Sequence, residues 1–212
     1  MKTKSIWGNP PKRIYKLIDM GLYTWGDFEA CVVGCSDGKF LMPFARKHID
    51  VTGYDIDSTS LFGGEKDFPI IDKKVSYKYD PNFKSKEYKL EKRDFYRDIP
   101  NKKFNIVFTS CSLHYDSNKD FSLEDKTNKL KSIVKKDGLL YMDYILAIDE
   151  NDYKKYPKEK YFRKGEILNY FGDNWDIISI RENDKPTFEE AHVDNVKDHF
   201  VRYGYVLARR VK

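Results

Sequence analysis

Long apolar runs are missing from this 212-residue chain. Nowhere do the roughly 18 consecutive apolar residues of a membrane span occur, so no span is expected. The opening MKTKSIWGNPPKR lacks the apolar centre of a secretory signal, and a cytoplasmic protein is expected. Cysteine is scarce: Cys31, Cys35 and Cys111 make an odd number, which excludes a disulfide scaffold and fits a reducing compartment. No second pair of ligands stands at zinc spacing, so no metal is expected. Charge of one sign is also lacking. Lys+Arg 39 against Asp+Glu 34 leaves +5, a mild attraction for anions. There is no internal repeat and no low-complexity linker. What the chain does hold is 3 Trp, 16 Tyr and 14 Phe, an aromatic load incompatible with disorder. Its length suits a single α/β domain over 1–212.

The segment 10–20 reads as an opening helix, part of an N-terminal helical stretch at about 1–27. Ile14, Leu17 and Ile18 share a face, two prolines stand at its start and Gly21 is the expected stop. Residues 29–33 (EACVV) are a buried strand ended by Gly34, 39–48 a helix, and 50–54 a second strand. Strand, glycine turn, helix and strand make a βαβ unit, whose strands are parallel. Residues 57–87 are hard to read; an insertion at about 65–87 runs into a third strand at 88–93. Strands follow at 104–109 and 139–146, around a helix at 122–136 with a Ser122/Asp125 capping box and Gly138 as its end. A helix at 163–171 precedes two strands, 175–181 and 200–209. With no crossover between them, they are expected to be antiparallel.

The segment that points to chemistry is Gly34-Cys35-Ser36-Asp37-Gly38, between the first strand and its helix. Glycine lets a ligand approach bare backbone, and a helix start offers free N–H groups. Asp55 ends the second strand, seventeen residues after Gly38, where a carboxylate can accept both ribose hydroxyls of a nucleotide. A tight turn beside an exposed acid is the bland alternative.

In this order of features the chain resembles the class I S-adenosylmethionine-dependent methyltransferases, over about residues 29–209. Ser36 replaces the middle glycine of their first motif, and Val32 stands where an acid often sits. The resemblance implies a Rossmann-like α/β fold: a seven-stranded, mostly parallel sheet in the order 3-2-1-4-5-7-6, strand 7 antiparallel, with helices on both faces. It implies S-adenosylmethionine as cofactor and S-adenosylhomocysteine as product. Gly34, Cys35, Ser36, Asp37, Gly38, Asp55, Ile56, Asp94, Phe95 and Ser110 would bind the cofactor, with Ile56, Asp94 and Phe95 at the adenine. The end of the chain, from Glu166 to Arg210, is similar to the tellurite-resistance type, which methylates small acceptors.

Methyl transfer needs alignment above all, and a base only where the acceptor must lose a proton. His114, after the fourth strand, is a candidate base or acceptor-orienting group; a loop-positioning histidine is the alternative. Tyr115, His192 and Arg202 are candidate acceptor contacts. His192 and His199 with Glu189 or Glu190 read as polar loop ahead of a metal site, and Cys111 as small buried filler. His48 ends a helix, a position that favours its charge.

Other readings compete. Leu113-His114-Tyr115 resembles a Leu-His-Tyr of messenger-RNA cap guanine-N7 methyltransferases. Residues 72–93 carry eight Lys/Arg among Tyr77, Tyr79, Phe83 and Tyr88, a composition that can grip RNA. The four acids among them and the low net charge favour a small molecule. A non-catalytic cofactor-binding partner protein is a third reading. Monomer and homodimer are both compatible with the composition.

Overall fold

The computed structural model describes residues 9–57, 88–114, 119–151, 161–190 and 198–212. They form α1 (Lys12–Trp25), β1 (Glu29–Val33), α2 (Met42–Ala45), β2 (Asp50–Asp55), β3 (Tyr88–Lys92), β4 (Phe104–Ser110), α3 (Leu123–Ser132), β5 (Val134–Leu146), a 3-10 turn (Glu166–Tyr170), β6 (Trp175–Glu182), β7 (Thr187–Glu189) and β8 (His199–Arg210). The sheet runs β3-β2-β1-β4-β5-β8-β6, and β7 pairs with β8. This is the expected order, with β8 in the place of strand seven. The short β7 is an eighth strand that the sequence reading did not separate from its loop. The chain divides into two compact units, residues 1–95 with 192–196 and residues 96–191 with 197–212. No described helix is long and apolar enough to cross a membrane.

In the first unit β1, β2 and β3 are parallel, with Val33 opposite Tyr54 and Asp55 opposite Lys92. Four of the five β1 residues are buried, as a parallel strand covered on both faces requires. Gly53 is where β2 meets the turn after β1. A Cβ there would lie 2.4 Å from Leu41 Cδ1 and 2.7 Å from Cys35 Sγ. The first helix passes through Gly21, the expected stop, because Gly21 belongs to the buried face of Ile14, Leu17 and Ile18. It ends at Gly26 (φ 69°), whose N–H bonds the Leu22 carbonyl.

The helix expected over 39–48 is only Met42–Ala45. Pro43 has no N–H to donate, and the residues around it make tighter turns, such as Phe44 N–H to Leu41 O at 3.1 Å. His48 takes φ 57°. Its N–H bonds Ala45 O and the Ile49 N–H bonds Phe44 O, a Schellman ending with histidine where glycine is usual. His48 is therefore a left-handed cap.

In the second unit β4 and β5 are parallel and β8 lies antiparallel to β5 on one side and β6 on the other. The antiparallel expectation for the last two long strands holds. The capping box is present: Ser122 Oγ accepts from Asp125 N–H at 3.0 Å and Asp125 Oδ2 accepts from Ser122 N–H at 3.1 Å. The helix stops at Ser132, short of Gly138. Instead Val134 pairs with Phe104, the register shifts, and Leu139 pairs with Ile106. Residues 135–138 bulge between, with Asp137 at φ 62°. A Cβ on Gly138 would lie 2.8 Å from the Asn105 carbonyl oxygen, so this glycine serves a close approach and not a helix end. Residues 163–171 give a 3-10 turn instead of a full helix.

Candidate functional site

The first unit brings Gly34, Cys35, Ser36, Asp37, Gly38 and Asp55 together. Backbone φ is positive at Gly34 (69°), Ser36 (44°) and Gly38 (92°). Cys35 and Asp37, between them, are buried. Ser36, where the family has glycine, thus sits in the left-handed region that glycine enters freely. Its N–H donates to Asp55 Oδ2 at 2.7 Å, and Asp57 N–H donates to Asp55 Oδ1 at 2.9 Å. Two main-chain donors therefore fix the Asp55 carboxylate over the turn.

The free N–H groups expected at a helix start are not what the turn supplies. Gly34 and Cys35 N–H both bond Tyr54 O, Gly38 N–H bonds Cys35 O, and Lys39 N–H bonds Asp37 Oδ1. With those amides committed, Asp37 within the turn and the Asp55 carboxylate bonded to it, the site suits a cation better than an anion. Glycine at 34 and 38 leaves the two ends of the turn without a Cβ.

The neighbouring candidates lie along the same ladder. Arg93 N–H continues it to Asp55 O at 2.8 Å. Asp94 is half-buried, Phe95 is buried with its ring 6.1 Å from Tyr54, and Ile56 is 45% exposed.

In the second unit the end of β4 is held by side chains. Ser110, a cofactor candidate, donates its hydroxyl to Asp143 Oδ2 at 2.9 Å, and Tyr141 donates to Asp143 Oδ1 at 2.8 Å. The Tyr141 ring stacks on Phe108 at 4.8 Å. Cys111 is half-buried with φ 52°, and its N–H bonds Asp143 O; it turns the chain as it leaves the strand, a role beyond filling space.

Lys126, fully buried on α3, donates to the Leu113 carbonyl at 2.7 Å. This pins the exit loop that carries the half-buried His114. Tyr203 donates to Glu189 Oε1 at 2.5 Å, and His199 Nε2 stands 3.9 Å from Glu189. Burial first, then Glu189, Cys111 and Asp143, push the Tyr203 phenol far above its ordinary range, so it stays a proton donor. His199 belongs to β8, not to a loop. Arg202 lies on β8 opposite Leu146.

Tyr115 and His192 lie outside the described residues, as does most of the basic aromatic segment 72–93. Among the described residues no three His, Cys, Asp or Glu side chains group as metal ligands. The sequence reading missed Asp143, Tyr141 and Tyr203. Asp143 had a signal: it is the one charge inside the apolar strand LLYMDYIL. Tyr203 had none, since its partner is fourteen residues away and set by the β7–β8 register.

No protein-family model and no curated protein matches the chain. Solved structures do. The TehB protein of Haemophilus influenzae superposes with a TM-score of 0.66 at 13% identity over 92% of this chain. The chain spans only 62% of that protein. The NodS N-methyltransferase of Bradyrhizobium japonicum, in complex with S-adenosylhomocysteine, gives 0.60 at 10% identity, covering 95% of this chain and 87% of its own. The magnesium protoporphyrin IX methyltransferase of Synechocystis, with bound S-adenosylhomocysteine, gives 0.59 at 13% identity over 94% and 82%. The chain has the class I methyltransferase fold. At such low identity the likeness is one of architecture, and the chemistry rests on the residues.

Proposed function

We propose that the chain is an S-adenosylmethionine-dependent methyltransferase acting on a small-molecule acceptor. The observation that carries this reading is the turn at 34–38, with Asp55 tied to the Ser36 N–H at 2.7 Å. The residues suit the cofactor. A carboxylate offers about four acceptor sites, enough for two main-chain N–H groups and two ribose hydroxyls. Asp37 and Asp55 favour a sulfonium and an ammonium, and glycines at 34 and 38 make room for the amino-acid tail. Asp94, Ile56 and Phe95 serve the adenine end. Two of the similar folds hold S-adenosylhomocysteine, which supports the same ligand class.

The bound cofactor supplies an electrophilic methyl group and a neutral thioether leaving group. The protein's part is to orient the reactants, an effect worth roughly 7–11 kcal/mol in well-aligned systems. Ser110 and the pinned exit loop of β4 form the acceptor side of the second unit, with His114 orienting the acceptor or taking its proton. Arg202 on β8 is a further acceptor contact of this unit, and Tyr115 and His192 keep their sequence-based candidacy outside the described residues.

The test is release of S-adenosylhomocysteine from the pure protein with a panel of small acceptors and no RNA. Turnover with some acceptor is expected. Tight cofactor binding without any turnover would leave a binding protein, not an enzyme. His114→Ala should lower turnover while cofactor affinity is kept; an unaltered rate removes His114 from the site.

A further inference from the structure

Arg202 stands opposite Leu146, the last residue of β5. Residues two apart on a strand share a face, so Arg202 shares one with Gly204. Gly204 pairs with both Tyr144 and Glu182. On that face Tyr144 crosses over Gly204, where a Cβ would lie 2.4 Å from Tyr144 Cε2. Its hydroxyl donates to Glu182 Oε1 at 2.9 Å. The other Glu182 oxygen accepts from Gly165 N–H at 2.8 Å. The Tyr144 ring packs on Phe162 at 4.7 Å, and both are buried. Both oxygens of this row's carboxylate are thus engaged. Asp184, whose carboxyl is held below its ordinary range by Lys164 first and by Arg202 least, is paired with Lys164 and its side chain is 81% exposed.

Arg202 Nε is shielded from solvent and has no hydrogen-bond partner among the described residues. Buried donors are nearly always paired, because an unmet N–H forfeits its hydration with no return. A guanidinium presents Nε and its neighbouring Nη as two parallel donors, spaced to meet both oxygens of a carboxylate. We propose that Arg202 receives a carboxylate of the methyl acceptor, so that the substrate is a small organic acid. This rests on the reading of the second unit as the acceptor side. Tyr144 and Phe162 give that face a buried aromatic lining, and the Glu182 contacts to Tyr144 and Gly165 hold it in place.

The experiment follows arginine Nε–H resonances of the full chain by proton–nitrogen NMR. The Arg202 signal is assigned by its loss in Arg202→Lys, with Arg202→Gln as a second variant should the first fail to fold. Sodium benzoate, sodium selenite and sodium chloride are titrated separately. Benzoate should move the Arg202 Nε–H resonance saturably, and its affinity should fall at least tenfold in Arg202→Lys. No saturable shift with benzoate overturns the proposal, and so does an equal response to selenite or chloride. Calorimetry with S-adenosylmethionine is run in parallel on the wild type and Arg202→Lys. If benzoate engages Arg202 but the cofactor does not bind, the methyltransferase reading fails and the carboxylate site stands. If the cofactor binds both proteins alike and benzoate leaves Arg202 unmoved, the reverse holds.

Discussion

The turn at 34–38 and the end of β5 both hold a carboxylate in place, by different means. Asp55 is fixed by two main-chain N–H groups, from Ser36 and Asp57. Asp143 is fixed by two side-chain hydroxyls, from Ser110 and Tyr141. A carboxylate set by main chain depends on backbone shape, and so on glycine spacing. A carboxylate set by hydroxyls depends on which side chains the strand register brings opposite one another. The first arrangement tolerates many side chains and the second tolerates few.

Replacing Asp143 should therefore have the largest effect on stability. Asp143→Leu strands the Ser110 and Tyr141 hydroxyls, and Asp143 is almost fully buried. A loss of about 3 kcal/mol is expected in urea unfolding, since each unpaired buried group costs roughly 1–3 kcal/mol. A loss below 1 kcal/mol would mean that the hydroxyls find other partners.

Gly204→Ala comes next. Its Cβ would sit 2.4 Å from the buried Tyr144 ring, and overpacking of this kind costs roughly 1–3 kcal/mol. Gly53→Ala in the first unit meets the ends of Leu41 and Cys35 side chains instead and should cost less. Equal costs would erase the contrast between the units.

The difference between the regions also explains what the sequence made legible. Gly34, Gly38 and Asp55 were readable because a bare-backbone turn and an acid at a strand end are local patterns. The parallel βαβ unit followed from alternation of elements, and the strand order from the family resemblance. Gly138 was misread because the reason for that glycine, the Asn105 carbonyl 2.8 Å from its absent Cβ, is thirty-three residues away in sequence. Gly21 was misread because a glycine on a buried helix face looks the same in sequence as one at a stop. Tyr203 and Glu189 meet only because β7 pairs with β8, and the three-residue β7 left no period to detect. The length of α2 was overestimated because its apolar spacing continues through residues that the Pro43 turn and the His48 cap withdraw from the helix.

A smaller effect belongs to the α3 cap. Ser122→Ala should cost about 1 kcal/mol, within the usual range for a lost N-cap. The bonds from Ser122 hold the Asp125 carboxyl below its ordinary value of 3.8. A depressed carboxyl contributes stability that is complete above that value and is lost as pH falls through the lower folded-state value. The acid limb of the stability curve should flatten slightly in Ser122→Ala; an unchanged limb would show that the cap does not set Asp125. Smallest of all is Ser36→Gly, which removes a side chain from φ 44° but keeps the N–H to Asp55. Relief of the strain and the extra freedom of the unfolded glycine nearly cancel, so the melting temperature should move little and cofactor affinity should be kept. A marked loss of affinity would assign the Ser36 hydroxyl a direct contact.

The central claim is that Asp55, set by the Ser36 amide, holds the ribose of S-adenosylmethionine. Titration calorimetry of the wild type and Asp55→Ala with that cofactor tests it most directly. Charge-assisted hydrogen bonds are worth roughly 1.5–3 kcal/mol, so affinity should fall by about 10- to 150-fold. Equal affinity in the two proteins would contradict the account.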